Sequence, residues 1–157
     1  MAAPKAGSKI TDFSLPATGG ETWSLRAALK GSKGLVIYFY PKDMTSGCTL
    51  ESQNLRDLNA AFRKAGVRIV GVSRDSLASH EKFKAKEKLP FELLADEDEK
   101  LCKQFGVIKE KTLYGRKYLG IERSTFLLDA TGVLRQEWRK VKVPGHAEEV
   151  LEAAKSL

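Results

Sequence analysis

The stretch Leu35-Val-Ile-Tyr-Phe-Tyr-Pro-Lys-Asp-Met-Thr-Ser-Gly-Cys48-Thr-Leu-Glu51 joins the clearest strand in the chain to its clearest helix and puts a cysteine at the junction. Leu35 to Tyr40 is an unbroken apolar and aromatic run, which suits a central strand buried on both faces. Pro41 ends it. Beyond Cys48, apolar residues recur at Leu55, Leu58, Phe62 and Ala65, one stripe at helical spacing, with Glu51, Arg56, Asp57, Arg63 and Lys64 mostly off it. Cys48 therefore stands at or near a helix N-terminus. Free backbone N–H groups and the positive end of the helix dipole stabilise an anion there, and such a position can lower a thiol pKa from about 8.5 to about 3.5–7.5. The alternative from position alone is a small buried hydrophobe.

Working outward, the chain reads as one domain spanning residues 1–157, with 1–10 as a loose, polar lead-in. Phe13-Ser-Leu15 and Thr22-Trp-Ser-Leu25, separated by Gly19-Gly20, predict a short hairpin. A weak helix or turn follows through Arg26 to Lys30. Val67 to Ser73 reads as a second buried strand after the Gly66 stop, and a strand–helix–strand order of this length implies a parallel βαβ unit. Asp75 or Ser76 can cap a helix through about Lys86, with Leu77, Phe83 and, at the same spacing, His80 on one side. Leu89-Pro-Phe ends it. Asp96-Glu-Asp-Glu99 starts a short helix to Phe105. Residues 107–119 read as an irregular basic loop. Ser124 to Asp129 and Val133 to Trp138 form an antiparallel hairpin, and Pro144-Gly145 precedes a last helix with Ala147, Val150, Leu151, Ala154 and Leu157 on one face.

Composition narrows the chemistry. With 42% hydrophobic and 30% charged residues the chain is of the soluble globular type. No apolar run reaches the roughly 20 residues of a spanning helix, and Met1-Ala-Ala-Pro-Lys-Ala lacks a signal-peptide core, so a cytoplasmic protein is expected. Two cysteines make no disulfide framework, and no Cys-x-x-Cys or Cys/His cluster offers a metal site. His80 and His146 are read as surface or capping residues. The excess of basic residues, 27 against 20 acidic, is scattered except at Lys109 to Lys117 and Arg139 to Lys142. A solvated basic surface is the reading, not a nucleic-acid site.

Pro41, Thr45 and Cys48 have the Pro-x-x-x-Thr-x-x-Cys spacing of the peroxiredoxin active site, and Tyr40 to Glu51 resembles the bacterioferritin-comigratory, or peroxiredoxin Q, branch. Gly71-Val-Ser-Arg-Asp-Ser76, Leu89-Pro-Phe with Leu94-Ala-Asp96, and Gly120-Ile-Glu-Arg-Ser-Thr-Phe-Leu-Leu-Asp129 resemble its later blocks, so the likeness covers nearly the whole chain. Two positions depart from it: the branch usually has proline at Ser46, and Asn or Ser at Met44.

The resemblance implies an α/β, thioredoxin-like fold with a mixed central sheet flanked by helices and an added N-terminal β-hairpin. It implies a thiol-dependent peroxidase acting on hydrogen peroxide and organic hydroperoxides, without metal, haem or flavin, and as a monomer. Cys48 would become a sulfenic acid. Thr45 would position the peroxide with its hydroxyl, backbone N–H groups near Gly47 and Cys48 would complete the donor set, and Pro41 would shield the thiolate from water. Arg123 would favour the thiolate and hold the peroxide oxygens, and Glu51 would orient Arg123. Each has a plainer alternative: Thr45 as a helix cap, Arg123 as a surface arginine pairing with Glu51 or Glu122.

The family's second cysteine, where used, falls at positions here occupied by Gln53 or in the Phe83-Lys84 region. Cys102 remains, bordering the apolar face of its short helix. Either it is a half-buried core thiol, and thioredoxin, glutaredoxin or glutathione reduces Cys48 directly, or it is the resolving cysteine, through local unwinding or an intersubunit bridge. A disulfide oxidoreductase would require Cys-x-x-Cys, whereas Cys48 is followed by Thr-Leu-Glu. A non-enzymatic redox sensor using Cys48 as a switch stays open.

Overall fold

The computed structural model describes residues 3–157. The run from Gly34 to Phe39 is strand β3, every residue of it buried, and it lies at the centre of a five-stranded sheet. In chain order the elements are β1 (Ser14–Pro16), β2 (Thr22–Ser24), α1 (Leu25–Leu29), β3 (Gly34–Phe39), α2 (Ser46–Lys64), β4 (Val67–Ser73), α3 (Leu77–Glu87), β5 (Glu92–Ala95), α4 (Lys100–Gln104), β6 (Ile108–Leu113), β7 (Arg116–Ile121), β8 (Ser124–Asp129), β9 (Leu134–Trp138) and α5 (His146–Lys155). The main sheet runs β5-β4-β3-β8-β9; β4 pairs parallel with β3 and β5 with β4, whereas β8 pairs antiparallel with β3 and β9 antiparallel with β8.

Period-2 alternation divides β3 between two cores. Leu35, Ile37 and Phe39 face one layer with Leu101 and Cys102 of α4 and Phe105 at its end, whereas Val36, Tyr38 and, just past the strand, Tyr40 face the other with Cys48, Leu55 and Phe62 of α2, Phe83 of α3 and Val150 of α5. This mixed sheet with helices on both faces is the thioredoxin-like arrangement expected, and β1 and β2 form the added N-terminal hairpin, joined to β5 by an Ala17–Leu94 bridge.

The local reading differs from the structure in four places. Residues 107–119 are not an irregular loop but most of a hairpin, β6 and β7, turning through Tyr114 and Gly115, both at positive φ. Its residues from Lys109 to Leu119 are mostly exposed, so no buried face imposes the alternation by which strands are recognised, and the chain reads as basic and irregular. Strand β5, Glu92–Ala95, is too short to have stood out from the loop around it. The lead-in is not loose from Gly7 on: its N–H donates to the Leu134 carbonyl, Lys9 bridges Val133, and Ile10 is buried. Met1 and Ala2 lie outside the described residues. Finally, His80 and His146 are buried, not surface residues.

Among the described residues no helix is long and apolar enough to cross a membrane.

Candidate active site

Antiparallel pairing of β3 with β8 puts Phe39 opposite Ser124, so the end of one strand and the start of the other lie side by side. The residue before β8 is Arg123, and the loop after β3 leads into α2. Topology alone thus brings Arg123 to the first turn of that helix.

Thr45 is the N-cap of α2, and Cys48 is its third residue. The first intrahelical bond runs from the Thr49 N–H to the Thr45 carbonyl at 2.9 Å, so the N–H groups of Ser46, Gly47 and Cys48 precede the helical ladder. Cys48 is 1% exposed. Its Sγ accepts from Arg123 Nη2 at 3.4 Å, while Arg123 Nη1 donates to Glu51 Oε1 at 2.6 Å. The guanidinium fork therefore holds a sulfur with one nitrogen and a carboxylate with the other, as its planar geometry allows. Cys48 and Glu51, three residues apart, lie on one side of a helical turn, which lets one arginine serve both.

Gly47 belongs to this arrangement through what it lacks. A Cβ there would stand 3.1 Å from Arg123 Nη2, so glycine lets the guanidinium lie close over the helix start. Glu51 is 2% exposed, and its second carboxylate oxygen has no hydrogen-bond partner among the described residues. Burial pushes its carboxyl up to about 7, against the opposing pull of Arg123. Burial works against the charge of Arg123 too, but its interactions with Glu51 and Cys48 outweigh it and hold the guanidinium above its ordinary value.

Thr45 sits where a cap residue sits, yet its hydroxyl donates to the Lys42 carbonyl at 2.9 Å and makes no side-chain cap bond. Among the described residues no hydrogen bond joins Thr45 to Cys48. Pro41 is half-buried at the start of the same loop. The structure thus joins Cys48, Arg123 and Glu51 directly, sets Gly47 under the guanidinium, and carries Pro41 and Thr45 on the loop leading in.

Cys102 is elsewhere. It is fully buried, further than the half-buried position expected, in the layer on the opposite side of the central sheet from Cys48. Both cysteines are unpaired thiols. Burial, reinforced by Asp96, pushes the Cys102 thiol far above its ordinary value.

The sequence reading did not single out Lys111, Tyr40 and Asp43. Lys111 extends from β6 to donate to the Ile121 carbonyl at 2.5 Å, and burial followed by the nearby Arg123 lowers its amine below the ordinary value. Reading residues 107–119 as a loop hid it. Asp43 is 4% exposed and ligand-type atoms of Asp43, Asp75 and His80 lie within 4.8 Å of one another, although all three are already hydrogen-bonded to protein groups. The helical spacing that put His80 beside Phe83 was the available signal. A surface cavity of about 600 Å³ is lined by residues that include Ile10, Leu29 and Gly132, at the far end of β8 from Arg123.

Residues 6–137 match the AhpC/TSA family. The chain belongs to that family. It is 54% identical to peroxiredoxin Bcp of Xanthomonas campestris over 145 residues, 92% of this chain and 89% of that one. A structure of the bacterioferritin comigratory protein from the same organism superposes with a TM-score of 0.85 at 53% identity, covering 92% of this chain and 90% of that one. A cysteine-to-serine mutant of Xylella fastidiosa PrxQ gives 0.92 at 41% identity over 99% and 98% of the two chains. The chain is thus a peroxiredoxin of the Bcp, or peroxiredoxin Q, branch, as its Tyr40–Glu51 motif implied.

Proposed function

We propose that this peroxiredoxin reduces hydrogen peroxide and organic hydroperoxides through a Cys48 sulfenic acid that an external thiol resolves. The observation that carries the reading is the Arg123 fork, one nitrogen 3.4 Å from Sγ and the other fixed on Glu51. The Cys48 thiolate attacks the terminal peroxide oxygen, the S–O bond forms as the O–O bond breaks, and the electron pair leaves on the second oxygen as hydroxide or alkoxide. That oxygen takes a proton and departs as water or alcohol. Negative charge moves from sulfur to oxygen during the step, so donors aimed at both favour the transition state over the ground state. Arg123 and the first N–H groups of α2 supply such donors, the Thr45 hydroxyl helps to position the peroxide, and Pro41 keeps water from the sulfur.

Three features support external resolution. Cys102 lies across the sheet from Cys48, so the central sheet stands between two thiols whose Cα atoms a disulfide would need within roughly 7 Å. The positions Gln53 and Lys84 carry no thiol. A buried thiol with a raised pKa is a poor nucleophile. An outside thiol, from glutathione, glutaredoxin or thioredoxin, would attack the sulfenic sulfur and release water; a second thiol would then free Cys48 and leave as the disulfide. A reducing compartment such as the cytoplasm supplies these thiols, and the enzyme is proposed to work there as a single-domain monomer. The X. campestris relative is described for alkyl peroxide reduction, which supports organic hydroperoxides as substrates here.

Turnover tests the reading against a sensor that reacts once. With dithiothreitol or a thioredoxin system in excess, wild type and Cys102→Ser should both consume many equivalents of peroxide, and Cys48→Ser none above background. Wild-type-like consumption by Cys48→Ser, or a single equivalent consumed by wild type, would overturn it.

A further inference from the structure

The loop from Pro41 to Thr45, which carries one proposed catalytic residue at each end, has a buried anchor in its middle. Asp43 Oδ1 accepts from the Tyr40 hydroxyl at 2.6 Å, and Oδ2 accepts from the Ser79 hydroxyl at 2.8 Å and lies 2.7 Å from His80 Nδ1. The Asp43 N–H donates to Asp75 Oδ2 at 2.9 Å, and Asp75 is itself held by the Ser73 hydroxyl. The other ring nitrogen of His80, Nε2, lies 2.9 Å from the Leu94 carbonyl. Asp43 and His80 side chains are 1% and 0% exposed.

A carbonyl oxygen only accepts, so the ring donates from Nε2 to Leu94, and one proton lies between Nδ1 and Asp43 Oδ2. The groups that face the ring are Asp43 from the loop, the Tyr40 phenol from the end of β3, Asp75 from the turn after β4 and the Leu94 carbonyl from β5. With Tyr40 and Ser79 donating to Asp43, every polar atom of the two side chains is hydrogen-bonded.

We propose that the Asp43–His80 pair is a latch that holds the Pro41–Thr45 loop in the shape needed for attack on peroxide, with His80 as a positioning residue. The proposal rests on Cys48 being the nucleophile. The loop would not keep this shape unaided, because Met44, next to Asp43, has φ 64°, the left-handed region that a residue with a Cβ rarely adopts. The latch ties it at one point to β3, β4, α3 and β5. In relatives that resolve internally the α3 region is a place for the second cysteine; here α3 supplies the anchor through Ser79 and His80, and nothing in the proposed cycle requires the loop to let go. The latch therefore affects the two half-reactions unequally. Attack on peroxide requires Thr45, the helix N-terminus and Arg123 in register, and misplacement by about 1 Å can cost about 100-fold. Reduction of the sulfenic acid by a small thiol requires access only.

The test uses the full chain and measures the two half-reactions separately: oxidation of reduced Cys48 by hydrogen peroxide in stopped flow, and reduction of the preformed sulfenic acid by glutathione. His80→Gln should slow oxidation by at least about 10-fold and leave reduction unchanged or faster, and Ser79→Ala, a milder loosening, should slow oxidation by about 2–5-fold. In wild type, nitrogen–proton NMR should find the His80 Nε2 proton, held on the Leu94 carbonyl, slow to exchange. A rapidly exchanging Nε2 proton would overturn the latch even if His80→Gln failed to fold. Equal loss in both half-reactions, or a wild-type oxidation rate in both variants, would overturn the positioning role. If wild-type Cys48 did not react with peroxide at all, the proposed function would fail first, and the two failures are thereby distinguished.

Discussion

Arg123 makes its two site contacts with different nitrogens, one on Glu51 and one on Cys48. A lysine has one ammonium and cannot reproduce the fork. Arg123→Lys should therefore lower the second-order rate with peroxide by roughly 10²-fold, the scale of losing one donor at a developing charge, with folding intact; a loss below about threefold in stopped flow would argue against the role. Glu51 predicts a pH dependence. Burial raises its folded carboxyl from 4.5 to about 7, so between those values the native state holds a proton that the unfolded chain has released. Its contribution to stability is then full below about pH 4.5 and is lost as pH rises through 7. Glu51→Gln should lack that slope in urea unfolding across the window, and parallel curves would contradict the assignment. Met44 departs from the family's usual Asn or Ser and occupies a left-handed conformation that asparagine tolerates better, so Met44→Asn should raise stability by about 0.5–1 kcal/mol, read from the denaturation midpoint. The grouping of Cys48, Arg123 and Glu51 was legible because the motif and its later block carry these residues in sequence. The Asp43–His80 pair was not, because a buried histidine and a capping one look alike until the partner 37 residues away is known.

At the scale of elements, the apolar periodicities of α2 and α5 were legible because each packs against one continuous layer, and the solid run of β3 because it is buried on both faces. The β6–β7 hairpin was not, since only its base at Ile108 and Ile121 joins the core, while Lys109 to Leu119 are mostly exposed. The end of α5 illustrates what pattern alone misses: His146, at its first position, is buried, and its Nε2 is paired with the Thr125 hydroxyl at 2.8 Å while its ring meets Trp138 edge-on. Burial lowers its pKa, with Glu149 pulling the other way. The neutral ring thus contributes stability above about pH 6.5 that is lost as pH falls through the lowered folded value, opposite in sign to Glu51. His146→Gln should remove the loss on the acid side, and unfolding curves of the single variants at Glu51 and His146 separate the two effects. An acid-side slope unchanged in His146→Gln would contradict it.

For the whole molecule, the decisive fact is that the central sheet stands between the two thiols. The sequence placed both cysteines on helices but could not say on which side of the sheet each helix packs, since short α4 carries its apolar residues toward one layer and α2 toward the other. That separation makes external resolution the central claim. The most direct measurement is intact mass after one equivalent of hydrogen peroxide with dimedone present, on wild type and Cys102→Ser. The account predicts a single dimedone adduct on Cys48 in both proteins. Loss of two hydrogens or a linked dimer in wild type, replaced by the adduct in Cys102→Ser, would contradict it and make Cys102 the resolving cysteine.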